Sequence, residues 1–525
     1  MRIIDTSTID PLRTEFDPAT REWIYNGLDC TVTFDVLEAL LPQLDDDTAH
    51  TYRQALAMQA PIFEITLRGV RVDTMQWNTT RKETERKIKK VAHNLHRILV
   101  EGVGINVPAP GTRKTEFYRS TKTLLHLFYT VLQLKEVKKR NAKGGLSPTV
   151  NEDALLRLKT NFYAEPIINH ILKLRGLEKA AQFLATKLDS DGRMRARWNI
   201  AGTVTGRLSS ESTDFGTGTN NQNIARPLRR PFIPDPGFKF CNVDLEQADA
   251  RNVGAICWEL FLDSHGQDFA GAYLDACESG DLHTKTCMLG WPDLPWTGDL
   301  AHDKKHVAEV PAHRGMTYRD LAKRLGHGTN YDGLMSVGQA THLPMKQIKE
   351  FQARYFAGFP CIKAWHEWVQ EQLDTTRQIT TLYHRRRTFF GRPNDKKVFR
   401  EALAFAPQSM TGDEMNAGWL RLWRSDPYRE GRIQVLNQVH DSLLIQYREE
   451  DEDWIVPFII DTLTERLELK GGREFVMPVE AAIGWNWAYA SKANPNGLLG
   501  WKGPRKDTRE TPSLDNTTIA TFFEG

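Results

Sequence analysis

Residues 437–447, NQVHDSLLIQY, carry His440 and Asp441 between two runs of β-forming side chains. The run from Ile433 to Val439 and the run from Leu443 to Tyr447 predict a hairpin with a His-Asp tip. A surface turn is the plain alternative, because an Asp side chain bonds nearby backbone and so favours turns. Chemistry at this tip requires a second carboxylate from elsewhere in the chain.

A candidate lies upstream in GFKFCNVDLEQADARNVGAICWEL. Phe238 to Val243 reads as a strand, Asp244 stands at its end, and the next residues turn helical. Taken alone, Asp244 reads as a helix N-cap. Beside Asp441 it becomes half of a site for one or two divalent cations, since Mg²⁺ prefers carboxylate oxygens and keeps positions open for phosphates.

A third stretch, MTYRDLAKRLGHGTNYDG, sets Arg319, Lys323, His327 and Tyr331 four residues apart, on one helical face. Two cations followed by two rings suit a triphosphate leading to a stacked base. A solvated basic helix is the alternative. Gly326 and Gly328 each weaken a helix by about 1 kcal/mol, which predicts a helix built to bend.

The chain of 525 residues exceeds one ordinary core, so three or four lobes are expected. No apolar run approaches bilayer length, the N-terminus lacks the layout of a secretory signal, and six scattered cysteines suit reduced thiols; a cytoplasmic protein with no membrane partner is expected. A net charge of +2 does not announce a nucleic-acid partner, but the basic runs RKIKKVAHNLHR, KEVKKRNAK, RPLRR and HRRR permit a basic channel.

Apolar periodicity predicts a long helix over 80–100 with a basic outer face, and further helices near 121–134, 151–158 and 167–184. The polar stretch SSESTDFGTGTNNQN predicts an irregular, ligand-touching loop, and the chain beyond Trp487 reads as irregular.

Together TGRLSS (205–210), NQNI (221–224), VDLEQADAR, RDLAKRLGHGTNYDG and QVHDS resemble, in order, the signatures of family A DNA polymerases, the bacterial polymerase one and phage replicative group. The resemblance runs from about Tyr25 to Trp487 and implies an α+β right-hand fold: an antiparallel-sheet palm with mainly helical thumb and fingers. Its implied division is an exonuclease-like remnant at 1–50, thumb at 51–195, palm at 196–300 and 401–490, fingers at 301–400, and an irregular tail at 491–525. The implied activity is primer extension on a DNA template with dNTPs and two Mg²⁺ ions, by a monomer; replisome partners and a separate proofreading chain are left open. The rival readings are a single-subunit RNA polymerase and a catalytically silent primer-template binding factor.

By position, Asp244 and Asp441 match the metal-binding aspartates, joined by the Leu245 carbonyl. Arg319, Lys323 and His283 match phosphate contacts, and Lys323 is also counted with the catalytic residues. His327, Tyr331 and Gln247 match the nucleotide site. Arg207 matches a reader of the minor groove at the primer terminus, with Gln438 and His440 near the primer end.

Four departures stand out. Asp249 replaces the glutamate that fills the space of a ribose 2′-hydroxyl, implying a looser sugar gate. Glu246 replaces a serine and is expected to face solvent. His327 replaces Phe or Tyr, and Ser442 replaces the acid that normally follows the catalytic aspartate. The stretch EALAFAPQSMTGDE aligns with no assigned role. His302, His306 and His313 read as a polar insertion rather than a metal site.

At the N-terminus, Tyr25 and Asp29 in YNGLDCTVTFDVLEAL resemble the last motif of the 3′-5′ exonuclease domain, and IIDTST mimics its first with Ser7 in place of an acid. Too few residues precede them for the whole domain, so a remnant packed on the polymerase, without proofreading, is expected.

Overall fold

The computed structural model describes residues 17–112, 116–140, 145–331, 333, 337–338 and 341–503. The readings of IIDTST and of the tail from 504 onward lie outside the described residues.

An antiparallel five-stranded sheet organises the chain. Its strands are β1 (Phe238–Leu245), β2 (Ile433–Val439), β3 (Ser442–Arg448), β4 (Val479–Gly484) and β5 (Leu499–Gly500), laid side by side as β2, β3, β1, β4, β5. Strand β1 has a neighbour on each edge and an apolar cluster on each face, so its side chains are buried along almost its whole length. The two-residue period sends Cys241, Val243 and Leu245 into the main core, while Phe240 faces a smaller cluster with Phe232, Leu444 and Trp487. Asn242 follows Phe240 and accepts from Trp487 Nε1 at 3.1 Å; Asp244 therefore ends the strand on the side away from the main core.

The helices Ala248–His265, Lys396–Arg424 and Glu452–Leu463 contribute Val253, Met410, Trp419 and Ile459 to that main core. The strand runs two residues beyond its expected end at Val243, so Asp244 is a strand residue and Gln247, not Asp244, caps the following helix. Residues 488–501, expected to be irregular, fold back instead. Leu499 pairs with Ile483, and Trp501 N–H donates to the Ala481 carbonyl, closing the sheet edge left open by β4.

A separate core gathers Leu95, Leu99, Phe128, Ile168, Ile171 and Leu174 between the helices Thr74–Arg97 and Glu165–Leu184. Both expected helices exist, but the one predicted over 80–100 starts earlier, at the Asp73 cap, and ends in a π-type turn, Ile98–Gly102. A second π-type turn, His126–Val131, continues the short helix Thr121–Leu125.

The helix Pro18–Leu40 corrects the N-terminal expectation. It buries none of its residues, and Trp23 is 76% and Phe34 58% exposed, so among the described residues it has no core of its own and none to pack into. Among the described residues no group of three or more His, Cys, Asp or Glu side chains is placed to hold a metal ion, so a cation site in this fold would rest on a pair of acids.

Candidate active site

The hairpin tip and the end of β1 meet through sheet register. Ser442 pairs with Asp244 and Leu443 with Val243, so Asp441 lies one residue beyond the strand that flanks Asp244. The Leu245 N–H then donates to the Asp441 carbonyl at 3.0 Å, tying the two segments together. A two-residue hairpin needs positive φ in its loop, and His440 adopts it at 56°. Gln247 does the same at 54°, where the chain leaves β1 for its helix. Both sparsely populated conformations thus sit within three residues of an acid, the kind of place where a fold retains backbone strain.

The electrostatics favour a cation. Burial raises the Asp244 pKa to about 7, aided by Asp441 and Glu480 and opposed by Arg226 and Arg229. Asp441 is also raised, by burial first and by the Asp249 charge. Two desolvated carboxylates gain from a hard dication between them, and an oxygen-only donor set suits Mg²⁺. Glu480, cross-strand from Asp244, was not singled out in the sequence; only the register shows that β4 brings a third acid here.

Arg207, Gln438 and His440 share one recess of about 240 Å³ with Thr203, Ser209, Gln222 and Asn223. The residues of TGRLSS and NQNI that line it are built rather than loose. Ser209–Glu211 pairs with Arg197–Asn199, Gln222 Nε2 donates to the Leu208 carbonyl, and Asn437 Nδ2 reaches the Asn221 carbonyl from β2. The polar stretch expected to be wholly irregular therefore contains a strand and a 3₁₀ turn. Gln438 is buried, with its Oε1 atom unpartnered.

The stretch left without a role, EALAFAPQSMTGDE, lies on the long Lys396–Arg424 helix and supports this recess. The Gln408 carbonyl accepts from Arg207 Nε at 3.1 Å, and Gly412 lets Arg207 Cγ approach within 3.2 Å of where a Cβ would stand. Thr411 Oγ1 stands 3.2 Å from Asp249 Oδ1 and 2.9 Å from the Pro407 carbonyl, two acceptors for its one proton, and Arg207 Nη2 donates to the same Asp249 oxygen at 3.4 Å. Asp249 is thus drawn toward the Lys396–Arg424 helix, while the buried Tyr331 hydroxyl has no hydrogen-bond partner among the described residues. Glu246, expected in solvent, is half-buried and accepts from Gln247 Nε2.

The helix Tyr318–Asn330 starts at a Thr317–Asp320 capping box and carries Arg319, Lys323 and His327, with Tyr331 as its C-cap. The rings of His327 and Tyr331 meet edge to face at 4.8 Å. His283, on the helix Leu282–Gly290, packs near this face; burial and the Arg319 charge push its pKa down to about 4, so the ring is neutral at pH 7. The expected bend is not how the glycines are used. The helix runs through both, and a Cβ on Gly328 would meet Val337 Cγ2 at 1.9 Å, so Gly328 is required by close packing.

Known proteins share this architecture. The POL domain of Pol1 from M. smegmatis, solved in complex with DNA primer-template and dNTP, superposes with a TM-score of 0.64 at 19% identity, covering 82% of this chain and 70% of that one. DNA polymerase I of Geobacillus stearothermophilus is 26% identical over 418 residues, 77% of this chain and 42% of the relative. DNA polymerase I of Deinococcus radiodurans is 26% identical over 492 residues, 89% of this chain and 45% of the relative. The chain spans less than half the length of either relative. The superposition identifies the α+β architecture as the right-hand polymerase fold. The family model for DNA polymerase family A matches residues 76–290 and 298–489, most of the chain and every segment of the site described above, and the chain belongs to that family.

Proposed function

We propose that this chain is a DNA-templated DNA polymerase that extends a primer with dNTPs, acting as a monomer. The observation that carries this is the register of β1 and β3, which brings Asp441, next in sequence to the His440 that lines the recess containing Arg207, beside Asp244. The proposed division keeps the sheet as palm, the 51–195 helices as thumb and the 301–400 helices as fingers.

In this reading Asp244, Asp441 and the Leu245 carbonyl hold two Mg²⁺ ions. When bound, these supply charge neutralisation and a more acidic primer hydroxyl. Lys323, Arg319 and the neutral His283 donate hydrogen bonds to the triphosphate and to the departing pyrophosphate. Arg207, Gln438 and His440 contact the primer end, where minor-groove acceptors shared by all base pairs reward shape over sequence. Gln247, Tyr331 and His327 bound the sugar and the templating position. Asp249, held by Thr411 and one methylene shorter than glutamate, guards the 2′ position less tightly. No helix among the described residues is long and apolar enough to cross a membrane. No proofreading role is proposed for Asp29, which lies on an exposed helix.

Extension of a labelled primer on a DNA template with Mg²⁺, for the unaltered chain and for Asp441→Asn, tests the proposal. Templated extension that falls by roughly 100-fold or more in the variant, with primer-template binding retained, is expected. Binding without extension by the unaltered chain would leave a silent primer-template binding factor.

A further inference from the structure

We propose that Asp281 is a positioning residue for nucleotide binding, setting the guanidinium of Arg319 and the helix of His283 in one arrangement. This rests on the polymerase reading, in which Arg319 and His283 contact the triphosphate. Asp281 is only 2% exposed, and the sequence assigned a role to His283, two residues on, but none to Asp281 itself.

Both carboxylate oxygens meet Arg319, and one of them also caps a helix. Arg319 Nη2 donates to Oδ1 at 2.7 Å and Arg319 Nε to Oδ2 at 3.2 Å, a side-on bidentate pair. That pairing occupies one edge of the planar guanidinium and turns the Nη1 edge outward, so the fork is aimed before an anion arrives. Oδ2 also accepts from the backbone N–H and hydroxyl of Thr284, capping the Leu282–Gly290 helix that carries His283. One buried carboxylate therefore couples two helices that each present a phosphate donor.

Charge balance fits the same role. Lys304 on the helix Leu300–Glu309 stands 3.7 Å from Oδ1 with its side chain half exposed. One negative charge faces two cations, so a net positive charge remains for a triphosphate. Burial works against ionisation of Asp281, and the bonds from Arg319 and Thr284 overcome it, holding its pKa down at about 2.

The test is single-nucleotide incorporation on primer-template, separating KM for dNTP from kcat, for the unaltered chain, Asp281→Asn, Arg319→Ala and the double variant. Asparagine keeps an oxygen for the helix cap and removes the charge; Asp281→Ser, which also caps, replaces it if Asp281→Asn does not fold. Loss of one charge-assisted pair is expected to raise KM about tenfold with kcat changed by less than about threefold. In the Arg319→Ala background the same change is expected to have less than about a twofold effect, because the coupling partner is gone. An unaltered chain that extends no primer would overturn the polymerase reading itself. Extension with unchanged KM in Asp281→Asn, or equal damage in both backgrounds, would overturn the role of Asp281 alone.

Discussion

Alanine at Gly328 should destabilise this protein while alanine at Gly326, two residues earlier on the same helix, should stabilise it. In a helix interior, alanine is favoured over glycine by about 1 kcal/mol. At Gly326 the new methyl would stand 3.4 Å from Tyr355 Cε2 and 3.5 Å from Thr286 Cγ2, which is ordinary contact, so the propensity gain is kept. At Gly328 it would stand 1.9 Å from Val337 Cγ2 and 3.3 Å from Val337 Cβ. Val337 is buried and β-branched, so turning χ1 does not clear the space, and overpacking of this kind costs about 1–3 kcal/mol. Subtracting the propensity gain leaves a net loss of about 1 kcal/mol, and a gap between the two variants of about 2 kcal/mol. Urea denaturation of both variants, fitted for midpoint and slope, reads the gap directly. Equal stabilisation by both substitutions would refute the packing assignment and restore the flexible helix as the reason for the glycines.

Two further outcomes concern single carboxyls. Burial raises the Glu414 pKa well above the usual range, against a bond from Asn252. The native chain therefore keeps a proton that the unfolded chain releases, and stability falls by roughly 1.4 kcal/mol per pH unit between the unfolded and folded pKa values. Glu414→Gln removes that slope, so its melting-temperature advantage should widen as pH rises above the ordinary carboxyl range; an advantage independent of pH contradicts the assignment. Restoring the longer side chain with Asp249→Glu should raise discrimination against ribonucleotides by about tenfold, measured as a ratio of kcat/KM values, and no change would mean that another group guards the sugar.

The hairpin and the strand before Asp244 were legible because β-forming runs and a polar break are local signals. The four-residue spacing on the Tyr318–Asn330 helix was legible for the same reason. What local pattern cannot carry is register, and register is what brings Glu480 opposite Asp244 and folds Leu499 back onto Ile483. Gly328 looked like a hinge because its need for space comes from Val337, a contact invisible in helical periodicity. Asp281, two residues before His283, carries no local signal of a role, because its partner Arg319 comes from a helix farther along the chain. The N-terminal segment resembled an exonuclease motif, yet resemblance in sequence did not supply a surface for it to pack on.

The sheet register also sets an order of events during folding. Between β1 and β2 the chain inserts the whole run of helices that bears Arg319 and Lys323, so pairing Ser442 with Asp244 must close that run as one loop. Helices within the insertion form from nearby contacts and are expected early, whereas the two aspartates meet only when distant strands dock. On the proposed reading, a newly made or partly unfolded chain is expected to hold the Arg319 and Lys323 face before the two aspartates meet, with strand docking as the last step toward a complete site.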